Sequence, residues 1–328
     1  MSNLSKLFAV VVCVLLVLGL SFAGGTTKIA KADTQKFTLG FSQFWGTNPV
    51  LIAVRIAARQ AAADWKAKGV EVDLIFTNGG DTDVSRQVAD IEDLYAQQVN
   101  GLMVFPGDAT VIAEPVKNVF NKNDIPVVVI DNALEAETVS TLVTDNYEGG
   151  KIAAELAIKN IPQGSKVIVF DHAPGSATTQ QRYNGFEETA ANAGMEVLAR
   201  KLIKLSLEDA KKAMEDTLVS DPEVAAVFLA NQIEAQGCVS ALEAAGRDDV
   251  VVLGFDIDGV SLDLVKQGKI LGLVVQDFTL MGYEGINRLL LHLTGQPVGE
   301  QRVDIPPQIC TQENAAEFEN NPQVTGKE

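Results

Sequence analysis

The amino-acid sequence predicts an α/β protein of two similar lobes, each a doubly wound parallel sheet. Two observations lead to this prediction. First, segments of the 328-residue chain recur at a spacing of 125 positions, so that Asp131 corresponds to Asp256 and Val128 to Leu253. A spacing that holds over about sixty residues indicates an internal repeat. Second, short runs of β-branched residues alternate with helical patterns, which is typical of parallel doubly wound sheets.

The first half of the chain contains four predicted strands and three predicted helices in alternation. Pro49 suits the first position of a helix that runs to residue 68. Apolar residues at positions 88, 91, 94 and 95 have helical spacing. The strands are predicted over residues 37–41, 70–76, 101–105 and 125–130, and the helices over 49–68, 84–98 and 111–121.

The second half restarts the pattern after a strand at residues 139–143 and a junction at 144–151. Its strands are predicted over residues 166–170, 196–202, 224–229, 250–255 and 270–275. One helix ends near residue 159, a second spans 179–193, others lie between the later strands, and the last spans 281–293. Because that last helix follows a completed second half, it is expected to return to the first lobe. The two lobes are therefore expected to share a hinge of three crossings, near residues 131–145, 256–276 and 303–309.

The predicted boundaries follow from this pattern. Residues 1–32 form a signal peptide, residues 36–143 plus 277–303 the N-terminal lobe, and residues 144–276 plus 304–328 the C-terminal lobe.

The first residues have the order of a secretory signal peptide. Lys6 precedes an apolar run over residues 7–20, and small residues follow at 21–23 and 30–32, which gives two candidate cleavage points, the favoured one after Ala32. An uncleaved membrane anchor is the alternative, since the run approaches the length of a bilayer span. Cys13 lies in this segment. Cys238 and Cys310 remain for an oxidising compartment, either paired or, the favoured alternative, as buried thiols.

Composition and motifs exclude several functional classes. A net charge of −17 and a pI near 4.6 argue against polyanionic partners such as nucleic acid or anionic membranes. The only histidines are His172 and His292, which leaves little material for a catalytic triad or a histidine-rich metal site. No dinucleotide-binding, P-loop or calcium-loop motif is present. We therefore predict no cofactor and no metal. Catalysis by Asp131 and Asp256 across a cleft stays a minor alternative.

Polar and aromatic residues instead accumulate where the strands end, at the edge where α/β sheets bind ligands. Amides, carboxylates and guanidinium groups bind hydroxyls in fixed geometry, and aromatic rings cover C–H surfaces. Such a cleft suits a neutral polyol. The residues predicted to contact a ligand are Phe44, Trp45, Thr47, Asn48, Asp131 and Asn132 in the first lobe, and His172, Gln180, Arg182, Asn231, Asp256 and Gln276 in the second.

Several of these residues also have a structural interpretation. Strand-end and helix-start positions favour local hydrogen bonds and caps. Trp45 could occupy a core position, and Asn231 and Asp256 could bond to loop backbone. Gln276 could bridge hinge strands, and Arg182 could pair with Glu187. Asp145 is expected to cap a helix rather than to bind ligand.

The sequence resembles a known family over residues 37–306. The motifs that carry the resemblance are Thr144-Asp145-Asn146-x-x-Gly149-Gly150-Lys151, the Gly175-Ser176 loop with Arg182-x-x-Gly185-Phe186, Val227-Phe228-x-x-Asn231, Leu253-Gly254-Phe255-Asp256, and Gln276. Their order is similar to that of periplasmic sugar-binding proteins of the ribose, galactose and xylose type.

The resemblance implies a type I periplasmic binding protein fold. The signal peptide predicts export, to the periplasm or the outer face of the cytoplasmic membrane, and we expect a monomer. The resemblance further implies a two-lobed receptor. Such a receptor closes on a carbohydrate and delivers it to the permease subunits of an ABC importer, and in some cases to a chemoreceptor. The resemblance assigns sugar contacts to Asn48, Asp131, Asn231, Asp256 and Gln276.

The chain also departs from the ribose-type pattern. Asn132 and Gln180 stand where that pattern has arginine, and Val50 and Leu51 replace paired aromatic residues. Ribose in the usual pose is therefore not expected. The alternatives are a receptor of the same fold for a nucleoside or signalling furanose, a secreted enzyme acting on a polyol or glycoside, and a repressor-like sensor, which the signal peptide and the acidic charge oppose.

Overall fold

The computed structural model describes residues 35–46, 48–79 and 83–327. The predicted signal peptide lies outside the described residues. Within the part of the chain that is described, no helix combines the length and apolarity needed to cross a membrane.

Thirteen strands and ten helices are assigned within these described ranges. The strands are β1 (Gln35–Gln43), β2 (Val70–Phe76), β3 (Gly101–Phe105), β4 (Val127–Ile130), β5 (Ser140–Thr144), β6 (Lys166–Asp171), β7 (Glu196–Val197), β8 (Lys201–Leu202), β9 (Val224–Leu229), β10 (Val251–Phe255), β11 (Gly272–Val275), β12 (Arg302–Ile305) and β13 (Gln308–Thr311). The helices are α1 (Pro49–Ala67), α2 (Val84–Ala96), α3 (Ala109–Pro115), α4 (Asn146–Asn160), α5 (Ala177–Asn192), α6 (Leu207–Ser220), α7 (Gln232–Ala245), α8 (Gly259–Lys266), α9 (Phe278–Leu293) and α10 (Pro322–Thr325).

The strands form two sheets with equivalent topology. The first has the order β12-β5-β4-β3-β1-β2, and the second β13-β11-β10-β9-β6-β7, with β8 also paired to β6. All neighbours are parallel except β13, which runs antiparallel to β11. The antiparallel edge strand departs from the prediction of parallel sheets. It arises because only two residues, Pro306 and Pro307, separate β12 from β13.

Each sheet is covered by helices on both faces. In β4, Val128 and Ile130 join a core with α1 and α9, whereas Val127 and Val129 join a core with α2 and α3. This division follows from the alternation of side chains along a strand. In the second sheet, one face packs against α4 and α5 and the other against α6, α7 and α8. The predicted fold of two doubly wound lobes is confirmed.

Three chain passages connect the sheets. The chain leaves the first sheet after Thr144, returns after Val275, and leaves again after Ile305. Helix α9 packs on the first sheet, as predicted, because Met281 and Ile286 belong to its core. We propose lobes divided at these passages, which places the last division two residues beyond the predicted limit at 303.

Two predicted elements differ locally from the structure. The strand expected over 196–202 is divided into β7 and β8, since its register against β6 shifts by one residue between Val197 and Lys201. Such an extra residue is a β-bulge. The helix expected over 111–121 starts at Ala109, where Asp108 caps it, and changes to a π-helical turn after Pro115. Proline has no N–H for the α-helical bond.

Helices α4 and α5 pack unusually close together because glycine lies at their contact. A Cβ atom at Gly150 would lie 1.9 Å from the Arg182 carbonyl oxygen, and one at Gly185 would lie 2.1 Å from the Tyr147 oxygen. Asp145 caps α4 by accepting a bond from the Glu148 N–H, as predicted. This close pair of helices positions Arg182 at the edge of the second sheet.

Candidate functional site

A cavity of about 450 Å³ lies between the two sheets, at the carboxyl ends of their strands. This is the edge where open α/β sheets bind ligands. Of the predicted contact residues, ten line it: Phe44, Trp45, Asn48, Asp131, Asn132, His172, Arg182, Asn231, Asp256 and Gln276. The structure therefore brings most of the predicted residues into one place.

The two repeat-related aspartates occupy equivalent backbone positions. Asp131 has φ +69° and Asp256 has φ +63°, both in the left-handed region. Each directs its N–H to a neighbouring strand, Asp131 to the Leu142 carbonyl and Asp256 to the Val274 carbonyl, both at 2.8 Å. Aspartate tolerates this conformation better than most residues. Non-glycine residues held there are concentrated at functional sites.

Arg182 provides the positive charge between these carboxyl groups. Its Nε donates to Asn146 Oδ1 at 2.8 Å and its Nη1 to the Ala230 carbonyl at 3.0 Å. Its guanidinium lies 3.7 Å from the centroid of the Phe255 ring, and Nη1 lies 4.0 Å from Asp256 Oδ2. Arginine is thus held by its surroundings with its charge directed at the cavity. The predicted pair with Glu187 is wrong, because Glu187 binds Arg200 instead.

Burial dominates the titration of both aspartates. It raises the pKa of Asp131 to about 6, where Arg182 acts in the opposite direction and Asp256 adds to the increase. Burial likewise raises the pKa of Asp256, against the opposing effects of Arg182 and of a hydrogen bond from Gln276. A buried carboxylate with unused acceptor sites is stabilised by donors, which ligand hydroxyls would supply.

Two asparagines present amide donors next to these acceptors. Asn48 Oδ1 accepts from the Val50 N–H at 3.0 Å and caps α1, and Asn231 Oδ1 accepts from the Ile233 N–H at 2.9 Å and caps α7. The structural role expected for Asn231 is therefore present. In both residues the cap uses the oxygen, which leaves the Nδ2 donors for a ligand.

Aromatic rings form the wall contributed by the first lobe. Phe44 and Trp45 lie with ring centroids 5.5 Å apart, and Phe105 and Phe278 lie 6.1 Å apart. A Cβ atom at Gly107 would lie 2.2 Å from the Phe44 ring, so only glycine permits this approach. Trp45 is half-buried and packs against the core while it lines the cavity.

His172 lines the cavity from the second lobe next to a buried acid. Its Nδ1 lies 2.7 Å from Oε1 of Glu234, whose side chain is fully buried. Burial raises the pKa of Glu234, and His172 opposes that rise. His172 Nδ1 and Glu234 Oε1 are close but lack the alignment of a hydrogen bond. Nε2 is the other polar atom of the ring.

One of the two remaining predicted contact residues lies elsewhere, and the other is not described. Gln180 is not among the lining residues, because its amide donates to Asp171 and accepts from Arg200. Thr47 lies outside the described residues. The two cysteines that follow the predicted signal, Cys238 and Cys310, are free and buried, as the favoured interpretation stated.

The sequence pattern missed several lining residues. Phe105 ends β3, so the strand-end rule that selected Asp131 would also have selected it. Phe278 and Thr178 gave no such signal. Phe278 begins a helix that returns from the other lobe, and Thr178 lies in the first turn of α5, two residues after its cap. Within the described ranges, no group of three or more His, Cys, Asp or Glu residues could hold a metal ion.

Comparison with known proteins finds relatives that are binding proteins for small carbohydrates. A family model for the periplasmic binding protein domain matches residues 39–297. The ribose import binding protein of Bacillus subtilis is 30% identical over 76% of this chain and 79% of its own. A xylitol-binding protein of Mycolicibacterium smegmatis is 23% identical over 94% of this chain and 86% of its own. An ABC transporter solute-binding protein of Agrobacterium vitis, solved with α-D-tagatopyranose, has a TM-score of 0.75 and 26% identity, over 88% of this chain and 98% of its own.

Proposed function

The chain belongs to the periplasmic binding protein family, and from this premise we propose that it is an extracytoplasmic receptor for a small carbohydrate, either a monosaccharide or a polyol. The observation that carries the proposal is the composition of the cavity between the lobes. The buried carboxyl of Asp131, the partly buried carboxyl of Asp256, amide donors and a guanidinium line it together with a wall of aromatic rings. Hydroxyl groups supply donors and acceptors together, and the C–H face of a sugar ring or polyol chain fits an aromatic surface.

The transport role follows from the family. We propose that the receptor works as a monomer and delivers its ligand to the permease subunits of an ABC importer, in the periplasm or at the outer face of the membrane, with a chemoreceptor as a further candidate partner. Residues 1–32 act as the export signal. The relatives that match the chain are binding proteins, which supports a role without catalysis. Incubation with glycosides and polyols, followed by product analysis, tests that point, and any turnover would contradict it.

Within the cavity, we propose that Asp131 and Asp256 accept hydrogen bonds from ligand hydroxyls and that Arg182 donates them. Asn48 and Asn231 donate through Nδ2. These groups come from both lobes, so a ligand makes its full set of contacts only when the lobes close over it. Such differential contact shifts a two-state population toward the closed form.

Ligand screening by thermal melting tests the function. The protein without residues 1–32 would be melted with D-ribose, D-tagatose, xylitol, other pentoses and hexoses, and a set of nucleosides. A ligand at one hundred times its dissociation constant adds about 2.7 kcal/mol to the stability of the folded state. We expect one carbohydrate or a few related ones to raise the melting temperature.

Asp256→Asn is the matched control for this screen. It keeps the size of the side chain and its tolerance of the left-handed backbone, and removes the charge. We expect the variant to lose most of the ligand-induced increase. Because burial raises the pKa of Asp256, the unliganded variant should melt at or above the wild-type temperature. A nucleoside response with no carbohydrate response would replace the sugar assignment and retain the receptor.

A further inference from the structure

Asp131 is connected to the opposite lobe by a chain of two hydrogen bonds. Asn132 Nδ2 donates to Asp131 Oδ2 at 2.8 Å. The Asn132 Oδ1 atom accepts from the Thr178 hydroxyl at 2.8 Å. Asp131 and Asn132 follow β4 of the first sheet, whereas Thr178 lies in α5 of the second lobe. We call this set the cleft relay.

Asp256 has a corresponding chain that crosses in the opposite direction. Gln276 Nε2 donates to Asp256 Oδ1 at 2.7 Å. Gln276 Oε1 accepts from the Thr144 hydroxyl at 2.6 Å. Asp256 directly follows β10 of the second sheet, and Thr144 ends β5 of the first. We call this set the hinge relay, since Thr144 and Gln276 both stand where the chain passes between the sheets.

The two relays have the same chemical order of carboxyl, amide and threonine hydroxyl. In each, the amide uses its nitrogen to hold the carboxyl of its own lobe and its oxygen to accept a hydroxyl from the other lobe. They differ in burial. Thr144 and Gln276 are 2% and 3% exposed, whereas Asn132 and Thr178 are half-buried.

The cleft relay lies between two cavities. Asn132 and Thr178 line the cavity described above and also a second one of about 500 Å³ on their other side. Their hydrogen bond joins a loop of the first lobe to the first turn of α5 in the second lobe, and the two residues are 46 positions apart in the chain. Separation of the lobes would break this bond, whereas Thr144 and Gln276 of the hinge relay adjoin the chain passages themselves.

We propose that Asn132 is a positioning residue that orients the Asp131 carboxyl only in the closed form, through its bond to Thr178, while Gln276 keeps the Asp256 carboxyl oriented in both forms. This inference rests on the proposed receptor function and adds a sequence of events to it. The second lobe offers a prepared half-site for the first encounter. The first lobe completes its half-site on closure, so that closure and recognition become one step.

Dissociation kinetics test the cleft relay. For each of D-ribose, D-tagatose and xylitol that binds, rate constants would be measured by stopped-flow fluorescence in wild type and in Thr178→Val, Asn132→Ala and the double variant. Loss of one neutral hydrogen bond corresponds to about two- to tenfold in an equilibrium constant. We expect the dissociation rate constant of the variants to rise by this factor. The association rate constant should be nearly unchanged, because the bond forms only after closure.

The double variant and a rescue variant separate the relay from general damage. The double variant should dissociate no faster than Asn132→Ala, since both changes break one chain. Thr178→Ser keeps the hydroxyl and should return to the wild-type rate. Multiplying effects in the double variant, or an unchanged rate in Thr178→Val, would overturn the cleft relay.

Thr144→Val is the comparison for the hinge relay. It removes the same hydroxyl at a buried place and leaves Gln276 Oε1 without its partner, which is costly. We expect a lower melting temperature of the unliganded protein for Thr144→Val and no change for Thr178→Val. The opposite pattern would contradict the proposal that the hinge relay is present in both forms and the cleft relay only in the closed form.

A measurement without ligand distinguishes failure of this inference from failure of the proposed function. If none of the three probes binds to wild type, the carbohydrate assignment fails. The relay is then tested in the protein without residues 1–32 by spin labels at Glu114→Cys in α3 and Glu215→Cys in α6, both exposed, while the remaining native cysteines, Cys238 and Cys310, are fully buried. Thr178→Val should shift the distance distribution toward longer distances relative to Thr178→Ser. Identical distributions would overturn the relay.

Discussion

Asp131 and Asp256 are the residues at which the requirements of the proposed function and of stability conflict most clearly. The Asp131 carboxyl is buried and that of Asp256 is partly buried, and each backbone occupies a left-handed conformation. An apolar side chain at either position would avoid the free-energy cost of removing a carboxylate from water. The fold instead keeps the acids and surrounds them with Arg182, Asn132 and Gln276. This arrangement is understandable if the unused lone pairs serve a bound molecule.

The pH dependence of stability follows from the raised pKa of Asp131. In the unfolded chain this carboxyl titrates near its ordinary value of 3.8, and in the folded protein near 6. The folded state therefore holds the proton more tightly. Its stability contribution is fully present below pH 3.8 and is lost as the pH rises to about 6.

Asp131→Asn tests this pH dependence, because the variant cannot ionise at that site and tolerates the same backbone. Between pH 4 and 7 we expect wild type to lose stability relative to the variant, by about 2–3 kcal/mol. Urea unfolding at intervals of half a pH unit, without ligand, measures the difference. A constant difference across the range would show that the carboxyl titrates normally in the folded protein.

Most cavity residues were predictable because they follow strands directly. Asp131, Asn132, His172, Asn231 and Asp256 all stand within the first residues after a strand, where parallel topology brings them to one edge. The prediction for Gln180 was wrong because this residue lies three positions after the start of α5, and that position alone does not determine which face of the helix carries the side chain. Its amide turned to an acid and an arginine of its own lobe.

At the scale of elements, helix caps account for most of the differences in boundaries. Helices α3, α5 and α9 start earlier than the apolar pattern predicts, since Asp108, Ser176 and Asp277 cap them. Apolar periodicity detects only the turns that pack against a core. The first turns of α3 and α5 begin with exposed small or polar residues, which that pattern does not detect. In α9 the first residue, Phe278, is buried in the core, and the start is marked by its cap, Asp277.

The contact between α4 and α5 gives a prediction at this scale. A methyl group at Gly185 would meet the Tyr147 carbonyl oxygen at 2.1 Å, so the helices must separate. We expect Gly185→Ala to destabilise the protein by about 1–3 kcal/mol, measured by urea unfolding. Because Arg182 lies on the same helix, sugar affinity should also fall.

Gly175→Ala is the matched control, since nothing lies within 4 Å of the added methyl. Its stability should stay within about 0.5 kcal/mol of wild type. Equal stabilities for the two variants would mean that the helices adjust without cost.

At the scale of the molecule, the internal repeat made the architecture predictable and the hinge explains the order of its parts. One α/β half, used twice, places two equivalent strand-end edges opposite each other. The passages after Thr144, Val275 and Ile305 then tie the halves together at one side only. The cavity opens between the free sides, where closure can vary its width. The antiparallel β13 was not predictable from the repeat, because no equivalent strand follows the first half.

Closure on ligand is the prediction that belongs to this scale. Contacts from both lobes favour the closed form by the difference in ligand affinity between the two forms. We expect small-angle X-ray scattering to show a smaller radius of gyration for wild type with saturating carbohydrate than without it. Asp256→Asn at the same carbohydrate concentration should keep the larger radius, because the second lobe then lacks its main acceptor. An unchanged radius for saturated wild type would show that the ligand enters lobes that are already closed, and the cleft relay would then be formed before binding.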